Sequence, residues 1–474
     1  MRLLSINVGC DSSVALMDNG KVTSYLSSER ISRKKYDSNI FEILEYLPKI
    51  DDLNYTDIIV NDMSYDDEIL LQVEKFIADN FKFKRIDFNR NNPLLSQAYC
   101  GFFNSPFDKA LCFISNEAVY TANKKSITEI FKLDTKMRMD TSIGPKFGLL
   151  AKKFGFEYED ASKIMNLSQW FGYETGLDPK WREMVDECVD LQKESEEQMI
   201  ELIRKHYMET GIDNIVLSGD CAWNYISNSR FKKEFPLLNF HIDPLCSVSI
   251  GEAYKYYKKN SFLRKKITPL KNVYIGTPLQ YDELETKHGV SRVMHGAVYE
   301  DMLGTIARII TLGIPVAIAQ GQSEAGYKFL GNRSIVFDPR AGRGSKHASN
   351  IEQDREDFVP FGVSILQDHV NEWFEFEGES PFMECVAKSK PHWSTDLVHD
   401  GRCSIHTVTK EQNYHYYRLL QEYYECSNIP MLVNVPLCAS DEPVAETLDQ
   451  IIESLLKLGI TYLYLPEKGC IVRL

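Results

Sequence analysis

The sequence predicts an α/β protein built from two modules. Short apolar runs alternate with helical periodicity in both halves of a chain of 474 residues, which is too long for one ordinary core. Glycine turns follow two of those runs, at Gly9 and Gly219. A polar, irregular stretch, "TPLQYDELETKHGVSRVMHG", breaks the alternation around residues 270–300 and marks a domain boundary.

The elements follow in order. Leu4, Ile6 and Val8 share one face of a first strand, the polar loop Gly9-Cys10-Asp11-Ser12-Ser13 follows, and a second strand returns. Asn19-Gly20 between apolar runs signals a hairpin to a third strand, "KVTSYLSSER". "DDEILLQVEKFIADNF" has apolar residues at helical spacing, and "FDKALCFIS" reads as a buried strand. A long helix from Trp181 stops at Gly211, and Ile215-Val216-Leu217 forms a short strand. The turn Ser218-Gly219-Asp220 leads into a helix beginning near Ala222. Such a strand, glycine turn and helix start can hold an anion. Beyond the boundary, "YEDMLGTIARIITLG" is a helix ended by Gly313 and "IPVAIAQG" is a strand. "YHYYRLLQEYYECSN", "IPMLVNVPL", "PVAETLDQIIESLLKLGI" and "TYLYLPEKG" continue as helix, strand, helix and closing strand.

Composition excludes several classes. The formal net charge of −14 argues against broad nucleic-acid binding, which needs a basic face. The N-terminal apolar run is too short and polar for a signal peptide, and no run of about 18 apolar residues exists. Eleven cysteines without a Cys-x-x-Cys pair fit reduced thiols in a cytoplasm and make no zinc pattern. The ten histidines form no His-x-x-x-His pair, and His399 and His406 are read as structural.

Against that acidic background, Lys328, Arg333, Arg340 and Arg343 crowd into "EAGYKFLGNRSIVFDPRAGRG" among glycines. A solvated loop and a phosphate pocket are both open readings of such a stretch.

"GQSEAGYKFLGNRSIVFDPR" resembles the pattern G-R-x-E-x-G-P-R-A-L-G-N-R-S-I-x-x-D-P-R of the O-carbamoyltransferases of the nodulation and antibiotic-biosynthesis type. "SSERISRKKYD", "ASKIM", "SGDCAWNYISN", "QDREDFVPFGVSIL", "HDGRCSIHTV" and "IPMLVNVPLCASDEPV" resemble further blocks of that family in the same order. The resemblance implies an actin/Hsp70-type (Kae1-like) double lobe over residues 1–275 and a YrdC-like α/β domain over 276–474. It implies that the second domain forms carbamoyl-adenylate from ATP, with Mg2+, and carbamoyl phosphate. The first would then transfer the carbamoyl group to a hydroxyl of a small acceptor. The resemblance assigns catalysis to Lys328, Arg333 and Arg355. It assigns nucleotide or carbamoyl-phosphate binding to Asn332, Ser334, Arg340, Asn434, Asp11, Ser12, Lys163, Gly219 and Asn224. Guanidinium groups suit this work, because they meet phosphate oxygens bidentately. Arg343 lies outside the pattern and reads as surface charge.

The chain also departs from the pattern. Pro93 and Gln97 stand at two histidine positions of the family's metal site, so the family's transition metal, iron, is expected to be absent. The third ligand position falls on Leu245, with Asp243 two residues before it. Tyr36 replaces a histidine, Asp220 replaces a glycine of the nucleotide turn, and Lys328 replaces an arginine. Two readings stand: a divergent cytoplasmic carbamoyltransferase, with a homodimer as default, or a catalytically degenerate relative serving a second protein as partner or regulatory subunit.

Overall fold

A computed structural model describes residues 1–90, 92–134, 141–172, 177–260, 266–282, 284–296, 299–341, 356, 358–391, 401–439 and 442–474. Arg343, Arg355 and His399 lie outside the described residues. The chain forms two compact units. The first comprises Met1–Lys146, Glu197–Trp223 and Lys232–Thr277, and the second Phe147–Glu196, Asn224–Phe231 and Pro278–Leu474.

The first unit contains one topology twice. Strands β1 (Arg2–Val8), β2 (Ser13–Asp18), β3 (Lys21–Ser27), β4 (Asp57–Asp62) and β5 (Arg85–Asn89) lie in the order β3-β2-β1-β4-β5. Strands β6 (Lys109–Ile114), β7 (Ala118–Asn123), β8 (Ile127–Lys132), β9 (Asn214–Ser218) and β10 (Asn239–Ile242) repeat it as β8-β7-β6-β9-β10. In each sheet the first three strands form an antiparallel meander and the last two run parallel to the central strand. This duplication is the double lobe that the resemblance implied. Asn19 and Gly20 turn β2 into β3 with φ of 49° and 86°, the left-handed values a tight hairpin needs.

Two helices of this unit meet closely. Pro93–Asn104 packs on β6 and β9, Val248–Asn260 packs on β1 and β2, and the helices pack on each other. Gly251 makes the approach possible, because a Cβ there would sit 1.8 Å from the Ser96 carbonyl oxygen.

The second unit is organised on a ten-stranded sheet. Its strands run Arg292–His295, Cys470–Arg473, Tyr462–Leu465, Val316–Ala319, Arg333–Phe337, Met431–Pro436, Gly362–Leu366, Arg402–Val408, Cys385–Ser389 and Phe374–Glu375. Strand alternation assigns the faces. Val316 and Ile318 pack with the helices Tyr299–Thr311 and Tyr414–Ser427, while Ala317 and Ala319 pack with the helix Leu448–Leu458. Thr447 and Gln450 close the last helix with a capping box, so it starts later than its apolar run suggests. The stretch expected to be irregular contains the edge strand Arg292–His295, and the helix expected near Ala222 begins at Tyr225 after a short 3-10 turn.

Two excursions fasten to this unit. Trp170 Nε1 donates to the Phe358 carbonyl at 2.9 Å, and Trp181 meets the Phe358 ring edge-on at 5.0 Å. Asn228 Nδ2 donates to the Glu384 carbonyl at 3.0 Å.

Candidate functional site

The loop Gln320–Arg333 leaves the strand Val316–Ala319 and returns as its antiparallel neighbour. Its shape is fixed by polar side chains. Glu324 is 1% exposed, and its Oε1 accepts the backbone N–H groups of Leu330 (2.8 Å), Asn332 (2.8 Å) and Arg333 (3.3 Å). Asn332 donates to the Gln322 carbonyl at 2.7 Å and accepts from Asn413 Nδ2 at 2.9 Å. Ser334 Oγ accepts the Gly331 N–H at 3.0 Å, and Gln320 Nε2 donates to the Gly331 carbonyl at 2.9 Å. Gly331 adopts φ of 100°, and a Cβ there would lie 2.4 Å from the Tyr416 ring.

Arg333 is placed differently from its expected role at a phosphate. Its side chain is fully buried. Nη1 donates to the carbonyls of Gln320 (2.6 Å) and Asn332 (2.9 Å), and Nη2 to those of Gly321 (3.2 Å) and Glu446 (3.3 Å). The guanidinium therefore ties both ends of the loop to the segment before the last helix. Charge-assisted bonds to carbonyls offset the cost of burying it.

Lys328 is half-buried, with its ammonium 4.7 Å from the centre of the Tyr225 ring. The Tyr225 hydroxyl donates to Asn166 and accepts from Gln169 Nε2 at 3.2 Å. Arg340 grips Asp338 with Nε at 3.0 Å and Nη2 at 2.6 Å, and that pairing raises the guanidinium pKa above its ordinary value. The Arg340 side chain remains half exposed. Asn434 Nδ2 donates to the Phe329 carbonyl (3.1 Å) and to Ser364 Oγ (2.9 Å). Ser364 Oγ is in turn 3.0 Å from His406 Nδ1. Burial pushes the His406 imidazole down to about 3, so its ring is neutral near pH 7.

The remaining expected residues stand elsewhere. Lys163 Nζ pairs with Glu356 (2.5 Å) and Asp160 (3.1 Å). Burial lowers its pKa, but the two carboxylates outweigh burial and the net shift is upward. Asn224 accepts the Ser227 N–H at 3.1 Å at the start of its helix and donates to Gln192 at 2.9 Å. Lys163 and Asn224 thus belong to the second unit, while Asp11, Ser12 and Gly219 belong to the first.

In the first unit the glycine turn closes on itself. Ser12 Oγ accepts the Gly9 N–H at 3.0 Å and lies 2.6 Å from the Ser38 carbonyl, while Asn7 Nδ2 donates to the Asp11 carbonyl at 3.3 Å. Asp11 is exposed at φ of 54°. Gly219, at φ of 79°, lies against Ser115, whose Oγ accepts the Cys221 N–H at 3.2 Å.

Pro93 is the first residue of its helix, where a missing N–H costs nothing, and Asn92 caps that helix by accepting the Leu94 N–H at 3.1 Å. Gln97 Nε2 donates to the Cys246 carbonyl at 3.3 Å. Burial pushes the Asp243 carboxyl up, opposed by the Ser218 hydroxyl at 2.8 Å and the Leu245 N–H at 3.1 Å. Pro93 brings no side-chain donor atom, and the Gln97 amide nitrogen is engaged by the Cys246 carbonyl. Among the described residues no group of three or more His, Cys, Asp or Glu is arranged to hold a metal ion. No helix among them is long and apolar enough to cross a membrane.

The sequence reading missed Gln320, Glu324, Asn413 and Tyr416. Only Glu324 had a signal, as the carboxylate inside the glycine block. The others act through tertiary contacts that no local pattern announces.

Residues 307–471 match the family model for the carbamoyltransferase C-terminus. An uncharacterised protein of Synechocystis is 28% identical over 60% of this chain and 52% of its own length, so the chain spans about half of that relative. Nodulation protein NolNO of Sinorhizobium fredii is 24% identical over 94% of this chain and 76% of its own. Among solved structures, a ROK family protein from Streptococcus pneumoniae TIGR4, in complex with sucrose, is similar at a TM-score of 0.34 and 11% identity, over 55% of this chain and 99% of that one. Residues 307–471 are thus similar to the carbamoyltransferase C-terminus.

Proposed function

We propose that the second unit binds carbamoyl phosphate and ATP at the Gln320–Arg333 loop and forms carbamoyl-adenylate. The observation that carries this reading is the loop itself. Family resemblance is densest there, and the hydrogen bonds of Glu324, Asn332 and Arg333 hold it in one shape while Lys328 remains half-buried within it. In this reading Lys328 is the cation that meets phosphate oxygen, Arg340 assists from Asp338, and Arg333 positions the loop. Asn332 and Ser334 support it, and Arg355 is a further candidate cation. Fixed cations stabilise charge on a departing pyrophosphate without reorganising. By atom balance, one water is consumed and one orthophosphate and one pyrophosphate leave for each adenylate formed. Mg2+ would accompany the ATP. The carbamoyl group would then pass to a hydroxyl of a small acceptor.

A second reading concerns the first unit. Pro93 and Gln97 in place of imidazoles, and a Gly9–Ser12 turn closed by its own side chains, favour a transfer half that has lost its chemistry. In that case the chain would serve a second protein as partner or regulatory subunit.

The test is incubation with ATP, Mg2+ and radiolabelled carbamoyl phosphate, followed by chromatography. A labelled, nucleotide-linked product supports the first reading. If ATP and carbamoyl phosphate bind but no such product forms, adenylation is refuted. If neither binds, the second reading is left.

A further inference from the structure

Among the described residues, the buried polar atoms around the Gln320–Arg333 loop that have no hydrogen-bond partner include two acceptor oxygens and a phenol: Glu324 Oε2, Asn434 Oδ1 and the Tyr416 hydroxyl. Their residues are 1%, 0% and 0% exposed. Unpaired buried polar atoms cost about 1–3 kcal/mol each, so a trio at one place calls for an explanation. All three residues are fastened to the same five-residue segment, Phe329–Arg333. Glu324 holds it through its other oxygen, Asn434 through the Phe329 carbonyl, and Tyr416 by packing its ring on Gly331. The Tyr416 hydroxyl approaches Ser364 without making a hydrogen bond of ordinary geometry, and Ser364 is the residue to which Asn434 donates. The Asn434 amide is oriented unambiguously, because Nδ2 faces a carbonyl and the unpaired atom must therefore be the oxygen.

The chemistry of the trio is specific. A carboxylate oxygen and an amide oxygen only accept, and a phenol can donate. Their complement is a planar group with two N–H bonds on one side and a carbonyl on the other. We propose that Glu324 Oε2, Asn434 Oδ1 and the Tyr416 hydroxyl form the pocket that recognises the carbamoyl amide, with its NH2 donating to the two oxygens and its carbonyl accepting from the phenol. This rests on the proposed function and adds to it the basis of selectivity. Acetyl phosphate has the size and charge of carbamoyl phosphate but carries a methyl in place of the NH2. It would leave both acceptors unpaired, and sites built for an N–H reject such analogues by orders of magnitude.

The experiment is calorimetric titration of the full chain with carbamoyl phosphate and, separately, acetyl phosphate, in the wild type, Glu324→Gln and Tyr416→Phe. Gln at position 324 can still accept the three backbone N–H groups but turns the unpaired acceptor into a donor. Phe at position 416 removes only the hydroxyl. Thermal melting of each variant within a few degrees of wild type establishes that it is folded. The expected result is a wild-type preference for carbamoyl phosphate of about 100-fold or more, as for sites that pair an N–H or O–H of the ligand. Glu324→Gln should bring that preference close to one by weakening carbamoyl phosphate alone. Tyr416→Phe should weaken both ligands, since both carry the carbonyl. Equal wild-type affinities would overturn the pocket, as would a preference that Glu324→Gln leaves intact. If equal affinities accompany carbamoyl-adenylate formation, the pocket fails while the proposed function stands. If neither phosphate binds, both fail.

Discussion

The Gly9–Ser13 turn and the Gln320–Arg333 loop are both glycine-containing connections that follow a buried strand, and both were expected to face phosphate. They use their polar groups in opposite ways. In the first, Ser12 and Asn7 direct their hydrogen bonds into the turn and its neighbour Ser38. In the second, the closing bonds come from Arg333, Asn332 and one oxygen of Glu324, while the other oxygen, with atoms of Asn434 and Tyr416, stays unpaired. Hydrogen-bonding capacity thus remains in the region that keeps the family pattern. A binding site needs a rigid frame and unmatched groups within it, and a glycine turn alone supplies neither.

The largest expected effect is on the frame. Arg333→Ala removes the donor to four main-chain carbonyls and leaves them buried. It should cost about 3–5 kcal/mol, the range for breaking a buried charged network, read from urea unfolding. A loss below about 1 kcal/mol would mean that the guanidinium is not the fastening of the loop.

A pH effect sharpens the contrast from inside the same site. His406 titrates near 3 when folded against about 6.5 when unfolded. Between those values the unfolded chain holds the extra proton, so stability rises with pH across that window. The contribution is complete above about pH 6.5 and is lost as pH falls toward 3. Compared with His406→Gln, the wild type should lose up to about 1.4 kcal/mol more per pH unit between pH 6 and 4. Parallel stability curves would show that the imidazole is not held neutral.

Smaller effects belong to the other region. Ser12→Ala deletes one hydroxyl from a turn with other ties and should cost about 1 kcal/mol by urea unfolding, with no change in carbamoyl phosphate affinity. Lys328→Ala is its mirror image. Stability should move by less than about 0.5 kcal/mol, as for a partly exposed side chain, while carbamoyl phosphate affinity falls at least tenfold by calorimetry.

The same contrast explains what could be read in the sequence. Alternation in Leu4, Ile6 and Val8, with Asn19-Gly20, is local chemistry, and it foretold the first hairpin. The helices ending at Gly211 and Asn428 followed from periodicity and stop residues. The edge strand Arg292–His295 did not, because it is four residues long and its partner, Cys470–Arg473, lies far along the chain. Nor did the grouping of Phe147–Glu196 with Pro278–Leu474, which depends on contacts such as that of Trp170 with Phe358. The glycine block drew attention to the loop's cations without showing how each is placed. A sequence displays that Arg333 is charged, and only the fold shows that main-chain carbonyls surround it.

Pyrophosphate release from ATP, Mg2+ and carbamoyl phosphate, measured in the wild type, Lys328→Ala and Ser12→Ala, tests the central claim most directly. Release should require carbamoyl phosphate, fall at least tenfold in Lys328→Ala and be unchanged in Ser12→Ala. Release that depends on Ser12 and survives without Lys328, or no release from the folded wild type, would contradict that claim.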